Sequence, residues 1–463
     1  MKMSFHNLTV FKQSKVTLRV TLSRFRFEVQ VIKVLIARIK HSIHFLAFFL
    51  VLPAYVQAQD VPVITTSHGP NSAAQQAKPY VILVSLDGFR YDYAKRYGAR
   101  HLLDIAAHGA SAPDGMVPVY PSWTFPNHLS IVTGLYPEHH GIVANRFYDA
   151  QRDASYSYTD PKTNSDGTWY GGTPLWVLAE QQGMRSACLF WPGSEAEIDG
   201  KRPTYYVHYD ANVPGERRVQ QVLDWLKLPP EERPHLITLY FSDVDHYGHK
   251  YGPDSEETRE AVHYVDEMMG QLALGVKRLN LPVDLFVVSD HGMENVQGDW
   301  INLERLAEDL KNFKSEGALM YGPDEDSIEK VYVELQRNAN GKFKVYRRSQ
   351  MPSYLHMDNN PRFGDPIIVP SGPYVIRVRP GKDDVKPDKG NHGYDPRTMI
   401  TMRSSFFAEG PDIRPGVKVP PFENVNIYPV IAKILGLQIG QIDGNISVLG
   451  GILAKPSAQS ATH

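Results

Sequence analysis

Three short stretches of uninterrupted apolar residues punctuate the chain, and each ends abruptly in acids and histidines. YVILVSLDGFRYDY is apolar from Tyr80 and meets Asp87-Gly88; HLITLYFSDVDHYGHKYGP rises from Leu236 and is followed by Asp245 and His249. VDLFVVSDHGM ends directly in Asp290-His291-Gly292. Runs this short, without polar alternation, suit strands buried on both faces of a parallel sheet. Between them lies PDSEETREAVHYVDEMMGQLALGVKRL, where Val262, Val265, Met269, Leu272 and Val276 recur at helical spacing, with Asp254 and Glu257 placed as a capping box. Alternating strands and helices predict a doubly wound α/β fold, a mostly parallel sheet with helices on both faces, in which ligands bind at the carboxyl ends of the strands.

The rhythm breaks over 294–386, which reads as a small inserted subdomain; EKVYVELQRNANGKFKVYRRS predicts two strands joined by a turn at 338–341. FENVNIYPVIAKILGL then predicts a closing amphipathic helix. Residues 59–78, small and polar, read as a linker, 79–455 as the main domain and 456–463 as a tail. Ahead of these, Lys33, Arg38 and Lys40 precede an apolar run at 43–52 that is too short to be a stable membrane anchor. Val56-Gln57-Ala58 suits cleavage, so 1–58 reads as a secretory signal peptide whose true start lies downstream of Met1.

Composition narrows the class. A formal net charge of -2 over 463 residues gives no nucleic-acid-binding or membrane surface acting by bulk charge. Cys188 is the one cysteine, so no internal disulfide forms; with a signal peptide, that points to a secreted protein of the bacterial periplasm.

Carboxylates and imidazoles together suit zinc. Singly, each candidate has an ordinary structural reading. Asp87-Gly88 is a common turn, Asp290-His291 a polar strand end and His392 a loop histidine, while Asp245 and His249 could be a helix-surface pair. Jointly, three strands discharging such residues at one sheet edge predict one shared site. The segment YPSWTFPNHLSIVTG adds Ser122, Thr124 and Asn127, whose side-chain oxygens suit the start of the helix that follows.

The set SLDGFR, PSWTFPNHLSIVTGLYPEHHGI, YFSDVDHYGHKYGP, VVSDHGM and GNHGYD resembles the nucleotide pyrophosphatase/phosphodiesterase family of the alkaline phosphatase superfamily, in its bacterial, catalytic-core form. The resemblance implies an alkaline-phosphatase-like fold and two zinc ions per chain. Asp245, His249 and His392 match the ligands of one; Asp87, Asp290 and His291, with Thr124 beside them, match the other. Thr124 then matches the nucleophile, Asn145 the residue that holds a phosphoryl oxygen, and Phe125 and Tyr240 the aromatics that sandwich a nucleobase. From the residues alone, Asn145 could equally be a turn asparagine and the two aromatics core packing.

A threonine hydroxyl becomes a competent nucleophile beside bound metal. The expected activity is therefore hydrolysis of nucleotide phosphodiester or pyrophosphate bonds through a phospho-threonine, releasing a nucleoside 5′-monophosphate, by a monomer acting on a small-molecule substrate. Val244 stands where animal members usually have proline, which loosens any inference about substrate. A choline-phospholipid diesterase, a phosphonate hydrolase and a non-catalytic zinc-binding protein are the competing readings.

Overall fold

The computed structural model describes residues 61–379 and 386–454; the signal-peptide and tail assignments, 1–58 and 456–463, lie outside the described residues. The elements that position the site are β1 (Ile64–Thr65), β2 (Tyr80–Leu86), α1 (Arg100–His108), β3 (Ala110–Ser111), α2 (Thr124–Thr133), β4 (Ser186–Leu189) and β5 (Tyr205–Val207). They continue with α3 (Gly215–Leu226), β6 (Leu236–Phe241), α4 (Asp243–Tyr251), α5 (Glu256–Leu279), β7 (Val283–Val288), α6 (Glu325–Asn338), β8 (Phe406–Glu409), β9 (Val417–Lys418) and α7 (Ile427–Leu435). Nine strands form one sheet in the order β1-β5-β4-β6-β2-β7-β8-β3-β9. The five central strands, β5 to β7 in that order, run parallel, whereas β1 and β8 pair antiparallel to β5 and β7.

The unbroken apolar runs are explained by two cores. Val81 and Leu83 of β2 pack on one face with Leu129 and Ile131 of α2 and Ile427 of α7. Ile82, Val84 and Leu86 pack on the other with Val219, Val262, Val265 and Met269. Both faces of the strand are therefore apolar, as a sheet covered by helices on each side requires.

Three local expectations are corrected. Part of the expected linker belongs to the sheet: Ile64 pairs with Tyr206 at its edge, and Val61 and Val63 pack against a core. The capping residue of α5 is Ser255, whose extended backbone lets Oγ accept the Thr258 N–H, while Asp254 pairs with Arg96. Within 294–386, the first expected strand is helix α6, started by the Asp324 side chain accepting the Ser327 N–H. Ile328, Val331, Tyr332 and Leu335 follow helical spacing and pack into a separate small core. Burying one such aliphatic side chain is worth about 1.5–3 kcal/mol, which outweighs the few tenths that β-branched residues cost a helix. The closing helix is present as α7.

At the sheet end remote from the acids and histidines, Asp284 is fully buried and accepts the Asp412 N–H at 2.9 Å. Burial, with Asp412 nearby, pushes its carboxyl up to about 7 from an ordinary 3.8. A carboxyl raised on folding contributes most stability below its unfolded value, and that contribution is lost as pH rises through the folded one. Asp284→Asn is therefore expected to flatten the fall in stability between about pH 4 and 7. Urea unfolding at pH 8 should show the variant more stable than wild type by up to a few kcal/mol (roughly 1.4 per pKa unit), with the gap closing towards pH 4.

Candidate metal centre and active site

Asp87 follows β2 immediately, Asp290 and His291 lie just beyond β7, and Asp245 and His249 sit one turn apart on α4, which begins where β6 ends. These three strands are neighbours in the sheet, so their carboxyl ends deliver five of the six expected ligands to one place. The sixth, His392, arrives about a hundred residues after His291, and a short antiparallel ladder pairing Glu294 with Asn391 and Asn295 with Gly390 brings the two stretches together. The Asp87 turn needs a glycine: Gly88 has φ +68°, and a Cβ there would sit 2.8 Å from the Asp245 Cα.

Two groups result, Asp245, His249 and His392 in one and Asp87, Asp290 and His291 in the other. In the second, His291 Nε2 lies 2.9 Å from Asp290 Oδ2 and 3.5 Å from Asp87 Oδ1. In the first, His249 Nε2 and His392 Nε2 lie 3.4 and 3.7 Å from Asp245 Oδ1. Each histidine has its other nitrogen on a backbone carbonyl: His249 on Gly390, His291 on Gly292 and His392 on Ser122, at 2.8–2.9 Å. Donation from Nδ1 fixes the tautomer that leaves Nε2 a bare lone pair.

Those lone pairs identify what the site fits. The Nε2 atoms of His249 and His392 face each other at 3.1 Å, both turned towards Asp245 Oδ1. Asp87 Oδ1, Asp245 Oδ1 and Asp290 Oδ2 are buried without any hydrogen-bond partner. Burial and the neighbouring Asp290 and Asp245 raise the Asp87 carboxyl well above its usual range. Burial, together with His291 and His249, holds His392 well below the ordinary imidazole value and therefore neutral. Converging imidazole nitrogens and three unpartnered carboxylate oxygens are a cation's donor set.

Thr124 joins this centre: its Oγ1 lies 3.3 Å from His291 Nε2. It is the first residue of α2 rather than its cap, a position held by Trp123 without a side-chain hydrogen bond. Ser122 and Asn127 do not cap the helix either. Ser122 Oγ donates to the Tyr394 carbonyl, and Asn127 ties the preceding loop by accepting the Val119 N–H. The helix start is satisfied from twenty residues away, where Asn145 Oδ1 accepts the Phe125 N–H at 2.9 Å. His128, fully buried, bridges Ser85 Oγ and the Thr124 carbonyl at 2.8 Å each.

The aromatics divide. Phe125 is half-buried beside the exposed ring of Tyr158, at 5.3 Å. Tyr240, expected to face a nucleobase, is buried, and its hydroxyl donates to Asp87 Oδ2 at 2.5 Å. It orients Asp87, leaving Oδ1 for the site, and presents no face to a ligand. Tyr209, which the sequence did not single out, is 48% exposed, lies 6.1 Å from Tyr240 and reaches Ser242 Oγ at 3.1 Å. No local pattern marks a loop tyrosine of this kind; only the approach of β5 to β6 across β4 brings it to the rim.

The family model described as type I phosphodiesterase / nucleotide pyrophosphatase matches residues 81–395, the span that holds every residue of this centre. The chain belongs to that family. The ectonucleotide pyrophosphatase/phosphodiesterase family member 1 of Homo sapiens is 37% identical over 410 residues, covering 84% of this chain and 43% of its own. The venom phosphodiesterase CdcPDE of Crotalus durissus collilineatus is 36% identical, covering 81% of this chain and 46% of its own. The chain thus spans under half the length of these two relatives. An uncharacterized pyrophosphatase/phosphodiesterase of Schizosaccharomyces pombe is 35% identical over 79% of both chains. Among solved structures, an inactive form of murine ectonucleotide pyrophosphatase / phosphodiesterase 5 in complex with AMP superposes with a TM-score of 0.76 at 29% identity, covering 81% of this chain and all of that one. The alkaline-phosphatase-like α/β architecture expected from the motifs is the one these family structures share.

Proposed function

We propose that this member of the type I phosphodiesterase / nucleotide pyrophosphatase family is an exported enzyme that cleaves nucleotide phosphodiester or pyrophosphate bonds, with Thr124 as nucleophile. The observation that carries the reading is the Thr124 hydroxyl, 3.3 Å from a histidine of one ligand group at the amino end of a helix. Two divalent cations, zinc by their mixed nitrogen and oxygen donors, would be held by Asp245, His249 and His392 and by Asp87, Asp290 and His291, and would supply the positive charge that favours a threonine alkoxide.

The chain's own groups do the rest. Thr124 Oγ1 forms a bond to phosphorus as the bond to the leaving oxygen breaks, and the nucleoside 5′-phosphate stays on Thr124 until water releases it. Asn145 has its carbonyl oxygen committed to the Phe125 N–H, so its amide NH2 is the group free to donate to a phosphoryl oxygen. The first turn of α2 adds favourable dipole charge for the anion. Phe125 and the exposed Tyr209, rather than the buried Tyr240, are the rings available to a flat base. Export agrees with the names of the relatives, an ectoenzyme and a venom enzyme, and among the described residues no helix is long and apolar enough to cross a membrane.

The direct test loads the protein with zinc and compares p-nitrophenyl thymidine 5′-phosphate with p-nitrophenyl phosphate. Preferential turnover of the diester is expected; hydrolysis of the monoester alone, or of neither, removes this reading. Phe125→Ala and Tyr209→Ala are each expected to lower kcat/KM for the thymidine diester by about tenfold, the scale of one lost base stack. Bis(p-nitrophenyl) phosphate, which carries no nucleobase, should lose much less. Equal losses on both substrates would mean that the two rings do not hold a base.

A further inference from the structure

We propose that Ser122 is a positioning residue that clasps the nucleophile segment to the 392–394 loop, so that the metal position made by Asp245, His249 and His392 depends on its hydroxyl. This rests on the two-cation reading above.

Ser122 is fully buried, two residues before Thr124, and uses both its backbone and its side chain on one short stretch of chain. Its carbonyl accepts from His392 Nδ1 at 2.8 Å. Its Oγ accepts the Gly393 N–H at 3.1 Å and donates to the Tyr394 carbonyl at 2.7 Å. Three consecutive residues of the ligand loop are therefore held by one serine. Gly393 has φ +98°, and a Cβ there would lie 2.1 Å from Trp123 Nε1, so the loop is also pressed against the residue between Ser122 and Thr124.

The other two ligand histidines are anchored differently. His291 is tied to the carbonyl of the next residue, and His249 to Gly390 in the short antiparallel ladder. Only His392 takes its orientation from the segment that carries the nucleophile. It also comes about a hundred residues after His291, so chain connectivity alone constrains it least. A hydroxyl that pairs one buried N–H and one buried carbonyl replaces that missing constraint, because leaving either group unpaired out of water is costly.

Ser122→Ala keeps the carbonyl that orients His392 but deletes both hydroxyl bonds. Zinc titrated into the chelator-stripped full chain against a chromophoric competitor should show two equivalents for wild type. In Ser122→Ala one equivalent should weaken on the order of 10–100-fold while the other stays within about threefold, and kcat should fall more than KM rises. Ser122→Thr, which retains the hydroxyl, should restore the weakened equivalent. If the alanine protein does not fold, Ser122→Cys, close in volume but a poor hydrogen-bonding partner, should show the same selective weakening. Equal weakening of both equivalents, or of neither, overturns the clasp. A wild-type chain that fails to bind two equivalents overturns the two-cation reading itself and the clasp with it.

Discussion

Thr124→Ala is expected to lower turnover of p-nitrophenyl thymidine 5′-phosphate by at least about 10⁴-fold, because removing a nucleophile leaves only binding and charge stabilisation to accelerate the reaction. Both metal equivalents should remain. The carboxylates and imidazoles of the two groups reach the centre from two strand ends, one helix and one loop, and the three histidines are oriented through Nδ1 by backbone carbonyls rather than by the threonine hydroxyl. The Asn145 contact goes to the Phe125 backbone and survives the change, so α2 should start at the same place. Metal analysis of the purified variant, beside its turnover, checks both halves. Full activity in the alanine protein would remove Thr124 from the reaction, and loss of metal would mean that the hydroxyl is itself needed to hold the cations.

The second large effect is expected at Asp290. Its Oδ1 accepts the Gly88 N–H at 3.1 Å, and its Oδ2 faces the site without a hydrogen-bond partner. Burial works against its charge, but His291 and His128 outweigh burial and hold the carboxyl below the usual carboxylate range. Asp290→Asn keeps the shape and an acceptor for Gly88 while removing the charge. One metal equivalent should be lost and turnover should drop at least about 100-fold, since even the outer partners of metal ligands commonly cost 10–100-fold. The effect on the metal-free fold should be small. Removing this charge relieves its repulsion of Asp87 but takes a carboxylate from His291 and His128. Retention of two tightly bound equivalents in the variant would exclude Asp290 as a ligand.

Much of this centre was legible because of how parallel sheets are built. A strand covered on both faces must be apolar throughout, so Asp87 or Asp290 at the end of such a run marks the sheet edge in the sequence itself. Helical spacing likewise made α5 and α7 readable. Reading failed where neighbours in space, rather than along the chain, set the outcome. VYVEL in α6 has the composition of a strand, yet Val331 and Leu335 bury one helical face against a core that no local window contains. The helix start at Thr124 looked self-capped, but the Phe125 N–H is met by Asn145, twenty residues on from it.

The linear order of residues thus determined the α/β class and the ligand-type residues at the sheet edge, because these follow from periodicity and side-chain chemistry. The candidate nucleophile was implied by the resemblance of the motifs to the family. Folding alone assigned the roles of residues that depend on distance and exposure. Tyr240 is a buried donor to Asp87, Tyr209 is the ring at the rim, and Ser122 holds the loop of His392. An aromatic ring or a hydroxyl carries the same chemistry buried or exposed, and only its surroundings decide which partner it meets.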